Sequence, residues 1–203
     1  MGSTVLLDII SSSIISGLLL LSALRMNEQS RVNTFDSQSS LTVQQNLTSI
    51  IQNVEYDFRK IGYCSNPNLQ PINSMYIVRG DTSDVTFVAD MSDNGTLDTV
   101  RWYLGTTAIP GTANPNVRML YRRVNSGRPF ASNLGVTQFK LKYFNSLGQV
   151  VPTPFSAPST AKLIEMTLRV EPVAAYGGTY GDTTKNFSVW RQTRLISRNL
   201  NAR

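Results

Sequence analysis

The chain has 203 residues, 41% of them hydrophobic and 16% charged, with a formal net charge of +6. That length gives room for one domain and an appendage. It has no histidine and one cysteine, Cys64, which excludes Ser–His–Asp and Cys–His catalysis, an internal disulfide and a Cys-rich zinc site.

The N-terminal stretch 4–24 reads TVLLDIISSSIISGLLLLSAL, with Asp8 as its one charge. About twenty residues of this kind match the ~30 Å hydrocarbon core of a bilayer. The stretch is longer than a signal-peptide core, and no small-x-small cleavage site follows it. Its serines can bond back to helix carbonyls and so tolerate insertion. Asp8 has two readings of equal standing: a carboxylate at the membrane interface near the helix N-terminus, or an intramembrane partner for a positive group on another chain.

The helix continues beyond the apolar run. Val32, Phe35, Ser39, Val43, Leu47, Ile50, Val54, Phe58 and Ile61 recur at a mean spacing near 3.6, one face of an amphipathic helix. No Pro or Gly interrupts residues 18–61, and Arg59, Lys60, Gly62 and Pro67 form a stop signal. The expectation is a single helix of roughly 80 Å at 1.5 Å per residue, greasy all round and then greasy on one side.

After Pro67 the period changes to two. Expected strands are Met75–Arg79, Val85–Ala89, Thr99–Leu104, Arg118–Val124, Thr137–Phe144, Lys162–Val170 and Phe187–Ile196, separated by turn-rich segments. Alternation in 138–143 and 163–170 predicts an antiparallel sheet with one packed face, and the stripe from Val43 to Ile61 is its natural partner. Segments 105–117, 149–161 and 172–186 read as surface loops. The fold class is α+β: residues 1–25 are the transmembrane or filament-core half of the helix, 26–64 its amphipathic half, and 65–203 a β-rich head. The basic excess lies in the head, where Lys185, Arg191, Arg194, Arg198 and Arg203 close the chain without an acid. Such a run reads first as a solvated face, then as a surface for an acidic subunit, anionic lipid or nucleic acid.

Three other features bear on chemistry. Asp90, Ser92, Asn94 and Asp98, with Gly95 among them, partly match a calcium loop, but Arg101 stands where the bidentate Glu belongs. The competing reading, an Asn94-Gly95 hairpin turn with positive φ at both residues, ranks ahead of calcium as a cofactor. Cys64 reads as a small buried residue at the helix end. Trp102, Trp190 and the tyrosines, interleaved with Arg101, Arg122, Arg123 and Arg191, read first as sheet packing and only second as a nucleic-acid surface.

The segment Tyr56-Asp57-Phe58-Arg59-Lys60-Ile61-Gly62-Tyr63-Cys64 resembles the helix end of PilW-type minor pilins and J-type pseudopilins. Weaker likenesses are 85–87 with 97–104 to their first hairpin, 119–123 to a following strand, and Arg198-Asn199 to their common ending. The plan of a long apolar-then-amphipathic helix before a sheet is that of type IV pilins. The resemblance implies a filament subunit, not an enzyme, serving pilus assembly, surface display or adhesion. It implies residence in the inner membrane before assembly, then in an extracellular or periplasmic filament, with other pilin subunits as partners through the N-terminal helix. It implies processing between Gly2 and Ser3, and an assembly role for Asp8 opposite the terminal amine of a neighbouring subunit. The chain departs from the family pattern in having Asp where the family has Glu, one position later, and in having no basic residue before Gly2. The alternatives are a J-like pseudopilin of a type II secretion pseudopilus, and a single-pass anchored module binding sugar, DNA or calcium.

Overall fold

The computed structural model describes residues 2–69, 75–112, 114–173 and 187–200. Met1, Lys185, Arg203, all of the 172–186 loop after residue 173, and the side chains of Gly2, Ser3 and Arg198 lie outside the described residues.

One helix, α1, runs without a break over Gly2–Arg59. Compactness divides the described chain inside it: the residues up to Leu41 form one unit, and the described residues from Thr42 onward the other. In the first unit every described residue from Thr4 to Arg31 is exposed, and Val32 is half-buried. In the second, α1 turns Val43, Leu47, Ile50, Ile51, Val54 and Phe58 inward. Each such side chain contributes about 1.5–3 kcal/mol relative to exposure. The expected stripe is thus buried from Val43 onward, and Phe35 stays exposed.

The second unit contains two antiparallel sheets. Its strands are β1 (Ile77–Gly80), β2 (Asp84–Ala89), β3 (Asp98–Ala108), β4 (Arg118–Val124), β5 (Phe130–Ser132), β6 (Val136–Phe144), β7 (Val150–Val151), β8 (Phe155–Ser156), β9 (Leu163–Val170) and β10 (Val189–Leu195). The six-stranded sheet has the order β5-β4-β3-β2-β1-β8, and the four-stranded sheet β10-β9-β6-β7. All seven expected strands are present. The additions are the short β5, β7 and β8, the last two inside the expected 149–161 loop, and an extension of β3 into the expected 105–117 loop.

Both inner faces join the helix in one core. β2 contributes Val85, Phe87 and Ala89, β3 Val100 and Trp102, β6 Phe139, Leu141 and Tyr143, and β9 Ile164, Met166 and Leu168. Phe58 of α1 meets Phe87 edge to face at 5.8 Å. The sheets are also tied by backbone, since Leu141 N–H donates to Thr82 C=O at 2.7 Å. Tyr143 Oη donates to Asp81 C=O at 3.1 Å; burial pushes this phenol well above its usual range.

Candidate functional site

Two regions stand out, one in each unit. The first is the surface of α1 between Val5 and Leu24. Twelve large apolar side chains there are 54–66% exposed. Large contiguous apolar surface is rare on soluble monomers and marks contact with protein or membrane. The helix is long and apolar enough to cross a membrane. Gly2 heads it, with Ser3 following on the same helix. Asp8 sits in its second turn, on this exposed apolar surface.

The second region is the joint where α1 ends. Asp57 is 2% exposed, in the middle of the apolar seam. Its carboxylate accepts the Trp102 indole N–H at 2.7 Å, Arg122 Nε–H at 2.6 Å and Arg122 Nη2–H at 3.1 Å. The geometry is a bidentate guanidinium–carboxylate fork, which fixes direction as well as distance. One helical residue thereby locks onto two neighbouring strands, β3 and β4, at paired positions.

Gly62, with φ of 74°, stops the helix, and its N–H donates to Val88 C=O on β2. A Cβ at Gly62 would stand 2.7 Å from the Tyr76 ring, so the position needs both the left-handed backbone and the missing side chain. The orphan carbonyls of the last turn find donors far along the chain. Ser197 Oγ donates to Arg59 C=O at 3.2 Å and Ile61 C=O at 2.7 Å, and Asn199 Nδ2 donates to Ile61 C=O at 3.3 Å. Lys60 reaches the carbonyls of Asp90 and Met91 and the Asp93 carboxylate. A groove of about 690 Å³ lies alongside, bounded by Arg59, Tyr63, Arg194 and Ile196.

The residues of the partial calcium loop belong to this joint. Asp90 is buried, and its carboxylate accepts from Ser65 Oγ at 2.7 Å, Ser65 N–H at 3.2 Å, Gly95 N–H at 2.9 Å and Asn94 N–H at 3.1 Å. The Ser65 hydroxyl, then the Gly95, Ser65 and Asn94 amides, pull its pKa down to about 2. Asp98 accepts from Met91 N–H and Asn125 Nδ2, and Asn94 Oδ1 from Thr96 N–H and Oγ. Ser92 is exposed. Among the described residues no group of three or more His, Cys, Asp or Glu could hold a metal. The oxygens of Asp90, Asn94 and Asp98 act as acceptors that shape an eight-residue connection between β2 and β3.

That connection also corrects the competing turn. Positive φ falls on Asp93 (54°) and Gly95 (80°), not on Asn94 and Gly95. Asp90 draws the Asn94 and Gly95 amides inward together, and the strands are joined by eight residues in place of the two of a tight hairpin. Cys64 is buried as expected, its thiol 3.7 Å from Gly95 C=O.

No family model, no curated protein and no solved structure matches the chain. Its reading therefore rests on its own residues. Asp57 and Asn199 lie in segments that carry the resemblance but had no role assigned from sequence, and Ser197 had no sequence signal. Asp57 left a trace: a carboxylate three residues after Val54 and one before Phe58, on the face that must be buried. Trp102 and Arg122, which read from sequence as packing or nucleic-acid residues, are the partners of that carboxylate.

Proposed function

We propose that the protein is a structural subunit of a type IV pilus-like filament, a minor pilin in kind. In this reading the 4–24 segment holds the chain in the inner membrane, then bundles with the same segment of neighbouring subunits in an extracellular or periplasmic fibre. Its work is assembly and display rather than turnover. The observation that carries the reading is the division of labour along one helix. The turns from Val43 to Phe58 are buried in the head, while twelve large apolar side chains between Val5 and Leu24 have no cover. A helix exposed in this way needs lipid or other helices around it, and a filament subunit meets each in turn. Asp8 supports the same reading, because a carboxylate in an apolar helix is stable when it finds a cation on a neighbour.

The test is fractionation of cells that make the protein. A filament subunit is released with sheared fibres, and Asp8→Ala lowers the sheared fraction severalfold while the head stays folded. Retention of the wild-type chain wholly in membranes would assign it instead to a single-pass anchored module, and normal incorporation of Asp8→Ala would remove the role given to Asp8.

A further inference from the structure

The outer face of the four-stranded sheet carries an arrangement apart from the N-terminal helix and from the joint at its end. Register places Trp190, Arg169 and Gln138 in one row across β10, β9 and β6. The next row holds Gln192 and Lys140 either side of Thr167, and the third Arg194 and Lys142 either side of Glu165. The acids of this face lie beneath its cations. Glu165 is 3% exposed under Arg194 (66%, 2.6 Å) and Lys142 (52%, 3.7 Å). Glu171 is 5% exposed beside Arg169 (43%, 3.0 Å). Solvent therefore meets four cations, two amides and the Trp190 indole, which is 63% exposed. Two other basic–aromatic groups are occupied internally. Trp102 and Arg122 hold Asp57, and Arg101 is forked onto Asp84 while stacking on Tyr103.

We propose that this face binds an acidic polysaccharide, a uronic-acid polymer lying across β10, β9 and β6. The Trp190 indole offers an apolar plane for the C–H face of a sugar ring. Lys140 and Lys142, two residues apart on β6, offer cations to carboxylates along the polymer. Gln138 offers a donor and an acceptor, and Gln192, which already donates to the Glu165 carboxylate, offers its amide oxygen as an acceptor, which hydroxyl groups can use and phosphodiesters cannot. A single-stranded nucleic acid asks for a succession of open aromatic platforms along its path, and here the Trp190 indole is exposed while Phe144 is half-buried beneath Arg194. The proposal does not rest on the filament reading.

The experiment uses the full chain in detergent micelles, with polygalacturonate as probe, neutral dextran and oligo(dT) as comparisons, and Trp190→Ala and Lys140→Glu as variants. Both sites are exposed, so circular dichroism of the variants matches wild type. The expected result is retention by polygalacturonate that weakens with salt, falls about tenfold or more in each variant, and is absent on dextran. Asp8→Ala binds as wild type does, which separates this result from any outcome of the assembly test. Failure of the wild-type chain to bind polygalacturonate overturns the proposal, as does equal binding by both variants. Tighter binding of oligo(dT) than of polygalacturonate overturns it in favour of nucleic acid.

Discussion

Asp57 shows what a single buried charge does here. Its two partners come from adjacent strands, so the residue sets both the rotation of α1 about its axis and its position along the six-stranded sheet. Asp57→Ala leaves the Trp102 N–H without its acceptor and sends the Arg122 guanidinium toward water. Breaking a buried pair from one side costs about 3–5 kcal/mol. Arg122 is 31% exposed, so the lower end, about 3 kcal/mol, is expected as a fall in the urea midpoint at unchanged slope. A loss below about 1 kcal/mol would mean that water replaces the carboxylate freely. Asp90 makes a separate prediction through pH. Its folded pKa of about 2 lies below the unfolded value of about 3.9. The folded state therefore gains from the anion above about pH 4, and that gain is lost as pH falls toward 2. The stability gap between wild type and Asp90→Asn is expected to be constant above about pH 4 and to narrow below it; a gap that ignores pH there would contradict the assignment.

Gly62 decides how the helix ends. Gly62→Ala combines a left-handed backbone, costing a side chain about 1–2 kcal/mol, with a Cβ pressed against the Tyr76 ring. Gly148 has a similar φ of 76° and nothing within 4 Å of its would-be Cβ. Gly148→Ala therefore measures the backbone cost alone, and the melting point of Gly62→Ala is expected to fall further. Equal shifts would show that Tyr76 moves aside freely. At this scale much was readable beforehand. The 3.6 spacing from Val43 to Ile61 and the Arg-Lys-Ile-Gly stop gave the buried half of α1, and alternation gave β6 and β9 nearly to the residue. β5, β7 and β8 were not readable, because two or three residues carry no period. The split into two sheets was hidden for another reason: pairing is chosen between distant segments, as when β8 joins β1 and β10 joins β9. The two-residue turn expected at Asn94-Gly95 differs from the observed connection because the residues of a tight turn are also those of an Asp-centred acceptor cluster, and Ser65, which completes it, lies 25 positions away.

For the molecule as a whole, the exposed half of α1 predicts behaviour in lipid. Leu18 lies in the middle of the apolar run, and an Asp at the centre of an inserted helix costs about 2.5–3.5 kcal/mol. Leu18→Asp is expected to shift the chain out of liposomes by about a hundredfold, measured by flotation; unchanged flotation would mean that residues 4–24 do not lie in the bilayer. The capping of the helix end has a consequence for biosynthesis. Ser197 leaves the ribosome 138 residues after Arg59, whose carbonyl it covers. At roughly 5–20 residues per second the nascent chain spends on the order of ten seconds with its oily seam formed and its last bonds unmade. The head can close only after translation has passed Asn199, so a stalled or prematurely terminated message would yield a chain whose greasy parts are complete and whose latch is missing.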